Sequence, residues 1–454
     1  MTATASVFLT SNFGAPVHHD SPNPSLQTLS SSSSHTDMPK ETLLNIVNDN
    51  HELYHIEYQD HLPNVLAPAL LCSYDLGASQ EQLRQTYHRL APDLERLRLP
   101  ETRITADNWT DFFGQKRYYR DYLVYFDAHI ATHTALSTFQ THFSRLLPGC
   151  IGSSLHPLVH LALGLDFGHS YVISEALAYA CIAYSSIGEM VDAQSGTKLA
   201  GTGEVDPREI LEMVKVDKRF DGGFDGAFGA KLKMLAKSRG ALVKVYMDEW
   251  NVDAATTSDA IAEKLHSLAH LTTLLLTATS THTTVPSIPT TSPLSTSPNV
   301  PHFLGISPPG SPRSTTSLLS PPKLDIHLAA LFSSLYAVNT ILPLLPAHAD
   351  KVRLLKLQWL ATLCIYIVQG RPTIREDMLP EGVDIANEYA NWEKCIKTVV
   401  EGNDPHAPVI LRGLVKAEGK YGRRDADGIY LRAASVLADF VDREGDWDHK
   451  GARR

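Results

Sequence analysis

Several histidines stand four residues apart, the spacing that places both side chains of a pair on one face of a helix. His156 and His160 flank Pro-Leu-Val, and the residues around them are apolar, so this face is expected to point to the protein interior. A buried pair of neutral imidazoles can bind a metal ion or transfer a proton near neutral pH. The alternative is a pair of hydrogen-bonded core histidines without a chemical role.

The second pair stands in the motif H-E-L-Y-H at residues 51–55. In zinc proteases this pattern lies on a helix, where both imidazoles bind zinc and the glutamate is the general base. Here the preceding residues 48–50, Asn-Asp-Asn, are typical of a helix start or a loop, and residues 56–58 do not sustain a helix. We therefore do not expect a zinc protease. A further pair, His266 and His270, borders a polar segment and is interpreted as a solvated helix face.

Several motifs are absent, and their absence narrows the function classes. The glycines of residues 222–229 have the wrong spacing for G-x-G-x-x-G and follow no strand, so a Rossmann site for a flavin or nicotinamide cofactor is not expected. The sequence contains neither a Walker A loop nor a G-x-S-x-G elbow. The five cysteines are scattered without a C-x-x-C pair, which disfavours a disulfide framework and a thiolate zinc site.

Composition predicts a cytoplasmic protein. The 454 residues include 40 Lys and Arg against 50 Asp and Glu, a net charge of −10 that disfavours nucleic acid as a partner. Residues 1–10 show no secretory signal. Residues 328–346 carry no charge and approach membrane-spanning length, but they include serine, asparagine, threonine and two prolines. We interpret them as a buried helix and expect no membrane partner.

The spacing of apolar residues predicts an all-α fold, a large multi-helix, bundle-like domain. A helix at residues 67–76 is expected to stop at Gly77, and Ser79 and Gln82 are predicted to form the capping box of the next helix. Residues 118–143 are predicted to be one long amphipathic helix, and residues 156–185 more than one helix. Further helices are predicted at residues 205–218, 255–277, 325–343, 351–370, 384–401, 404–419 and 427–442.

Two segments are predicted to be disordered because they hold few large apolar side chains. Residues 1–40 form a tail, and residues 278–322 form an insertion rich in serine, threonine and proline. The insertion separates a first helical half, residues 41–277, from a second half, residues 323–445. We expect the second half to pack on the first.

The order of short motifs resembles the questin oxidase-like family, fungal and bacterial proteins whose fungal members act in aromatic polyketide pathways. The most specific motifs are L-P-G at residues 147–149, H-P-L-V-H-L at 156–161 and S-E-A-L-A at 174–178. No single motif is strong, and their shared order over nearly the whole chain carries the resemblance. The remaining matches are residues 51–55, 61–64, 76–79, 108–109, 113–114, 217–220, 370–372, 392, 404–406 and 411–412.

The resemblance implies an oxidoreductase: an NADPH-associated, flavin-free oxygenase that uses O2 for a Baeyer–Villiger-type or ring-opening oxidation. Its substrate is expected to be a polycyclic aromatic polyketide or quinone held in an apolar cavity among the helices. His156 and His160 are the expected centre, as metal ligands or as a general acid–base pair. Tyr336 is a second catalytic candidate, His61 a candidate third ligand for non-haem iron, and His406 a candidate further out.

The chain also departs from the resemblance at positions where fungal members typically carry histidine. In place of H-N-H and H-H it has Pro63-Asn64-Val65 and Pro68-Ala69, and Tyr336 stands at a later histidine position. A tyrosine phenolate can ligate iron, whereas valine and alanine cannot. The metal site is therefore reduced, rearranged around His51, His55 or His61, or lost.

The alternative function is a non-catalytic helical binding protein that kept the fold and lost the site. The absent histidines favour this alternative, and the pair His156 and His160 favours the enzyme. The sequence leaves open the substrate, the regiochemistry, the way NADPH would bind and the oligomeric state.

Overall fold

The computed structural model describes residues 37–59, 61–193, 205–279, 322–380, 388–425 and 427–450. These residues are mainly helical, which confirms the predicted all-α class. The first eight helices are α1 (Asp37–Leu53), α2 (Leu66–Asp75), α3 (Gln80–Leu90), α4 (Tyr119–Thr132), α5 (Ala135–Leu146), α6 (His156–Phe167), α7 (Ser170–Ile182) and α8 (Pro207–Val216). The next are α9 (Phe228–Glu249), α10 (Ser258–Thr277), α11 (Ile326–Ile341), α12 (His348–Val368), α13 (Glu388–Glu401), α14 (Ala407–Tyr421) and α15 (Ile429–Asp442).

The strands of the described chain are short and form two two-stranded sheets. Strands β1 (Glu57–Tyr58) and β2 (Leu62–Pro63) pair antiparallel. Strands β3 (Lys323–Asp325) and β4 (Asp446–Asp448) pair in parallel. The first sheet closes the connection between α1 and α2, and β3 of the second sheet precedes α11, so β2 and β3 each lead into a helix that borders the cavity described below.

Local signals in the sequence set several helix ends correctly. Gly77 follows α2 with φ of +94°, a conformation that strains residues with a side chain. At the start of α3 the backbone N–H of Gln82 donates to Ser79 Oγ, and the N–H of Ser79 donates to Gln82 Oε1 at 2.8 Å. The predicted stop and the predicted capping box are both confirmed.

Two local predictions are wrong, and one helix was not predicted. Residues 118–143 do not form one helix, because Thr134 is extended and its hydroxyl caps the new helix α5 by accepting from the N–H of Ser137. Residues 48–50, expected to start a helix or loop, lie inside α1. The long helix α9 was not predicted, because its surface is rich in lysine and few of its apolar residues are buried.

The uncharged segment expected to be a buried helix forms α11. This is the one stretch of the described chain that is long and apolar enough to cross a membrane, and 67% of its most apolar window is buried inside the protein. It packs against α6, α10, α12 and α14. The prediction of a core helix is therefore confirmed.

Helices from both predicted halves pack on one another. Contacts join α2 to α14, α6 to α11, α9 to α12 and α10 to α11. Helix α1 begins at Asp37, so the predicted tail of residues 1–40 extends too far, and residues 1–36 lie outside the described chain. Most of the predicted insertion, residues 280–321, also lies outside it. All five cysteines are buried free thiols.

Candidate functional site

A cavity of about 40 Å³ lies among helices α2, α6, α7, α11 and α14. Its polar lining includes three imidazoles, from His156, His160 and His406, which we call the histidine wall. On another side it is lined by Pro63, Val65 and Pro68, which we call the proline–valine wall. The other lining residues are Asn64, Ser154, Val159, Tyr179, Ile326, Ala329, Ala330, Ser333, Val409 and Ile410.

A strained turn positions the first of the three imidazoles. Ser153, Ser154 and Leu155 have φ values of 43°, 52° and 68°, three consecutive left-handed residues with side chains. The hydroxyl of Ser153 donates to Glu57 Oε1 at 2.7 Å, which holds the turn against the β1 segment. His156 follows as the first residue of α6, with Pro157 in the first turn.

His156 lines the cavity as a neutral imidazole. Burial, together with the nearby His406 and His160, lowers the pKa of His156 to about 3. Burial likewise lowers the pKa of His406. Within the described chain no hydrogen bond to the His156 ring is found. A neutral imidazole with a free lone pair can accept a proton from a bound molecule.

His160, one helical turn further on, is held by a carboxylate. Its Nε2 lies 2.7 Å from Glu175 Oε2, and these two residues are only 2% and 1% exposed. Because this contact occupies Nε2, Nδ1 is the nitrogen left for the cavity. A carboxylate bound to one nitrogen of a histidine fixes the orientation of the ring and the tautomer that it adopts.

Glu175 on α7 is the buried centre of this polar network. Burial alone would raise its pKa, but the hydrogen bond from His160 and the nearby charge of His51 outweigh burial and lower the pKa to about 2. The side-chain nitrogen of Asn50 also donates to Glu175 Oε1, at 3.3 Å. The carboxyl group is therefore ionised at neutral pH.

His51, from the H-E-L-Y-H motif, supplies the compensating positive charge. Its Nδ1 lies 3.3 Å from Glu175 Oε1, and its Nε2 lies 3.2 Å from Asp127 Oδ2. Burial lowers the pKa of His51, but these two carboxylates outweigh burial and raise it to about 9. The ring also stacks on Tyr171 with centroids 4.4 Å apart.

The motif does not form a zinc face. His51 lies on α1, whereas His55 follows the end of the helix and contacts the backbone of Glu57 through Nδ1 at 2.8 Å. The two imidazoles are therefore engaged in separate contacts. The motif therefore does not bring its two imidazoles to one point.

The predicted iron ligands are not assembled. Across the described residues, no group of three or more His, Cys, Asp and Glu side chains is arranged to hold a metal ion. His61 is exposed, is not part of the cavity lining, and its Nδ1 contacts the carbonyl of Gln59 at 2.8 Å. The predicted set of His61, His156 and His160 thus does not fit a metal, and we derive no chemical step through one.

Tyr336, predicted as a second catalytic group, lies outside the cavity lining. Its hydroxyl donates to Asp166 Oδ2 at 2.6 Å and accepts from the buried guanidinium of Arg412. Asp166 lies about 15 Å along α6 from His156, since the helix rises 1.5 Å per residue. Burial raises the pKa of Tyr336 far above its usual value, so it is a neutral phenol and not the expected phenolate ligand.

The proline–valine wall lies at positions where the sequence lacks the histidines expected from the resemblance. Pro63, Val65 and Pro68 all line the cavity, at three of the positions where the resemblance places histidine. Ala69, a fourth such position, is buried but is not part of the lining. Three of the five substituted positions therefore change the wall of the cavity, whereas Ala69 and Tyr336 lie outside its lining.

Sequence reasoning missed Glu175, its hydrogen-bond partner Asn50, and Asp127, the second carboxylate on His51. A signal for Glu175 was present, because it is the one charged residue in the otherwise apolar helix α7. A carboxylate on such a helix is rarely buried without a partner. The partner on α1 could not be identified from spacing, since 124 positions separate His51 from Glu175.

Comparison with known proteins shows a match to one protein family and to several relatives. A model of the questin oxidase-like family matches residues 62–291 and 314–414. The chain is 31% identical over 160 residues to Baeyer-Villiger oxidase GME11358 of Pestalotiopsis microspora, covering 32% of this chain and 36% of the relative. It is 31% identical over 151 residues to Baeyer-Villiger monooxygenase AacuH of Aspergillus aculeatus, covering 30% and 31%. It is 27% identical over 186 residues to Baeyer-Villiger monooxygenase dmxR6 of Cryptosporiopsis sp., covering 36% and 40%. The chain spans roughly a third of the length of these relatives.

Proposed function

Because this chain belongs to the questin oxidase-like family, we propose that it is an oxidoreductase that acts at the histidine-lined cavity. The proposed reaction is an oxygen-dependent Baeyer–Villiger-type or ring-opening oxidation of a polycyclic aromatic polyketide or quinone. The observation that carries the proposal is the pair His156 and His160 on the wall of the same cavity, the second held by the ionised Glu175. The names of the curated relatives support an oxidative role.

The histidine wall supplies acid–base catalysis. Insertion of oxygen beside a ketone requires a base for the attacking oxygen nucleophile and an acid for the oxygen that leaves. His160 is assigned as the base, because the carboxylate of Glu175 holds its Nε2 and leaves Nδ1 for the cavity. His156 is assigned as the second group, which exchanges a proton with the substrate.

The proposed co-substrates are O2 and NADPH. One oxygen atom enters the substrate beside the carbonyl carbon, the other leaves as water, and NADPH supplies the two electrons that this balance requires. The cavity lining contains no lysine or arginine to meet the phosphates of a dinucleotide, so we do not assign NADPH to this cavity. We also propose that the protein acts in the cytoplasm without a nucleic-acid or membrane partner.

Substrate binding requires the cavity to open. Its volume of about 40 Å³ holds roughly three water molecules, far less than a fused aromatic ring system occupies. The reacting carbonyl would face the histidine wall, and the apolar rings would lie against the proline–valine wall.

The test combines turnover with binding. Purified protein is incubated with a hydroxyanthraquinone and NADPH while oxygen uptake and products are followed. We expect oxygen-dependent turnover in the native chain, and its loss in the double variant His156→Ala, His160→Ala with the helical circular-dichroism signal retained. Full activity of that variant would overturn the proposal.

A second candidate is a binding protein without catalysis. The proline–valine wall favours it, because none of Pro63, Val65 and Pro68 can transfer a proton or hold a metal ion. Quenching of protein fluorescence by the quinone, without any consumption of oxygen or NADPH, would favour this candidate over the enzyme.

A further inference from the structure

A continuous chain of four side chains leads from the cavity to the surface of α4. His160 contacts Glu175, Glu175 contacts His51, and His51 contacts Asp127. The first three residues are 4% exposed or less, whereas the side chain of Asp127 is 32% exposed. His51 and Asp127 do not line the cavity, so any effect of these two residues on the reaction must pass through Glu175.

Hydrogen bonds around Glu175 fix which neighbour each of its carboxyl oxygens contacts. The backbone N–H of Leu66 donates to Asn64 Oδ1 at 3.0 Å, so the amide nitrogen of Asn64 faces Asn50 and donates to its Oδ1 at 2.8 Å. The amide nitrogen of Asn50 consequently points to Glu175. Oε1 of Glu175 therefore accepts from the amide nitrogen of Asn50, and Oε2 faces Nε2 of His160, which donates to it when Glu175 is ionised.

Neutral donors alone do not keep a carboxylate ionised at this depth. Glu175 is 1% exposed, and a buried carboxyl group without a positive partner takes up a proton. His51 is the cation that contacts it directly. Asp127, which also accepts from the hydroxyl of Ser174 at 2.6 Å, holds the far side of the His51 ring.

We propose that His51, supported by Asp127, is a positioning residue that keeps Glu175 ionised and thereby holds His160 with its proton on Nε2 and its lone pair on Nδ1. Without the charge of His51, Glu175 takes up a proton from water, and its carboxylic acid O–H donates a hydrogen bond to Nε2 of His160. Nε2 then gives up its own proton to water, and the neutral imidazole carries its one proton on Nδ1 instead. The cavity nitrogen changes from an acceptor to a donor, and His160 can no longer act as the base.

Two other titratable groups near these four side chains do not replace the charge of His51. His169 precedes α7, and burial lowers its pKa, so it is neutral. Tyr119 is on α4, and burial raises its pKa well above the usual value, so it is neutral too. The inference rests on the proposed function for its consequence in catalysis, but its structural claim concerns only the tautomer of His160.

Nitrogen NMR of the full chain tests this claim without any substrate. In protein labelled with ¹⁵N-histidine, the shifts of Nδ1 and Nε2 distinguish the two neutral tautomers, and the spectrum of His160→Gln assigns the signal. The native chain should show His160 protonated on Nε2. His51→Gln, which keeps the size of the side chain but removes its charge, should move the proton to Nδ1.

His55→Gln is the matched control, because His55 belongs to the same motif but contacts the backbone of Glu57. It should leave the tautomer of His160 unchanged. Asp127→Asn is the second variant, in case His51→Gln does not fold, and should shift part of the His160 population to the Nδ1 form.

An Nδ1-protonated His160 in the native chain would overturn the inference, as would an unchanged tautomer in a folded His51→Gln or, if that variant does not fold, in Asp127→Asn. Activity gives an independent readout. In a native chain that turns over, His51→Gln should lower kcat by about 100-fold with little change in KM. If the tautomer changes as expected but the native chain has no oxygenase activity, the inference about His160 holds and the proposed function is wrong.

Discussion

The two walls of the cavity differ in what stands behind them. Behind the histidine wall lies a buried network in which Glu175 carries negative charge and His51 positive charge. The proline–valine wall is formed by a short strand and the first turn of α2, and it presents only apolar atoms of Pro63, Val65 and Pro68. The proposed function assigns proton transfer to the first wall and the apolar surface of the substrate to the second. Substitutions on the two walls should therefore have different kinetic signatures.

The largest effect is expected at the centre of the histidine wall's network. Glu175→Gln keeps the shape of the side chain but leaves the buried cation of His51 without one of its two carboxylates. Removal of one partner from a buried ion pair costs about 3–5 kcal/mol. Urea denaturation at pH 7 should show a loss of this size. A loss below about 1 kcal/mol would contradict the ionised network, since that is the range of exposed pairs.

His156 should make the histidine wall sensitive to acid. Burial and its neighbours lower the pKa of His156 from 6.5 to about 3, so the unfolded chain binds a proton below pH 6.5 that the folded chain does not. The free energy of unfolding should therefore fall as the pH falls from 6.5, by about 2 kcal/mol at pH 5 from this residue. Urea titrations of the native chain and His156→Asn should differ in slope over this range, and parallel slopes would contradict the assignment.

His51 should act in the opposite direction. Its two carboxylates raise its pKa from 6.5 to about 9, so its contribution to stability is complete below pH 6.5 and is lost as the pH rises through 9. Stability should decline from pH 6.5 to 9.5 in the native chain and remain flatter in His51→Gln. An equal decline in both would show that His51 is not the charged group.

The proline–valine wall should affect binding alone. Val65→Ala removes two methyl groups from the cavity lining, each equivalent to about 0.8 kcal/mol of apolar burial. The Michaelis constant for an aromatic substrate should rise by about tenfold, while kcat stays within a factor of two. A large fall in kcat with unchanged KM would remove the distinction between the walls.

Tyr336 should show the smallest effect on activity. Tyr336→Phe removes hydrogen bonds to Asp166 and Arg412 outside the cavity, so stability should fall by about 1 kcal/mol. Turnover should remain within a factor of two of the native value. A loss of more than about 100-fold would return Tyr336 to the catalytic group.

The helical class and several helix ends could be predicted because they depend on local signals. Apolar spacing marks the helices, Gly77 ends α2, and Pro157 stands in the first turn of α6. The spacing of His156 and His160 also identified the residues that now lie on the cavity wall. Local information sufficed there because both residues are on the same helix.

The network behind that wall could not be predicted, because its contacts join distant parts of the chain. His51 meets Asp127 across 76 positions. Asn50, whose neighbours resemble a helix start, is instead buried inside α1 and donates to Glu175. Polar residues that commonly cap helices were here used for a tertiary contact, which no local pattern reveals. Tyr336 was misplaced for the related reason that its partner Arg412 comes from another helix.

The most direct test of the account is turnover under ¹⁸O2 by the native chain, His160→Gln and the exposed control His61→Gln. With a hydroxyanthraquinone and NADPH, the native chain and His61→Gln should form product that carries one ¹⁸O atom at equal rates. His160→Gln should form it at least about 100-fold more slowly. Equal rates in all three proteins would contradict the assignment of the histidine wall as the catalytic side of the cavity.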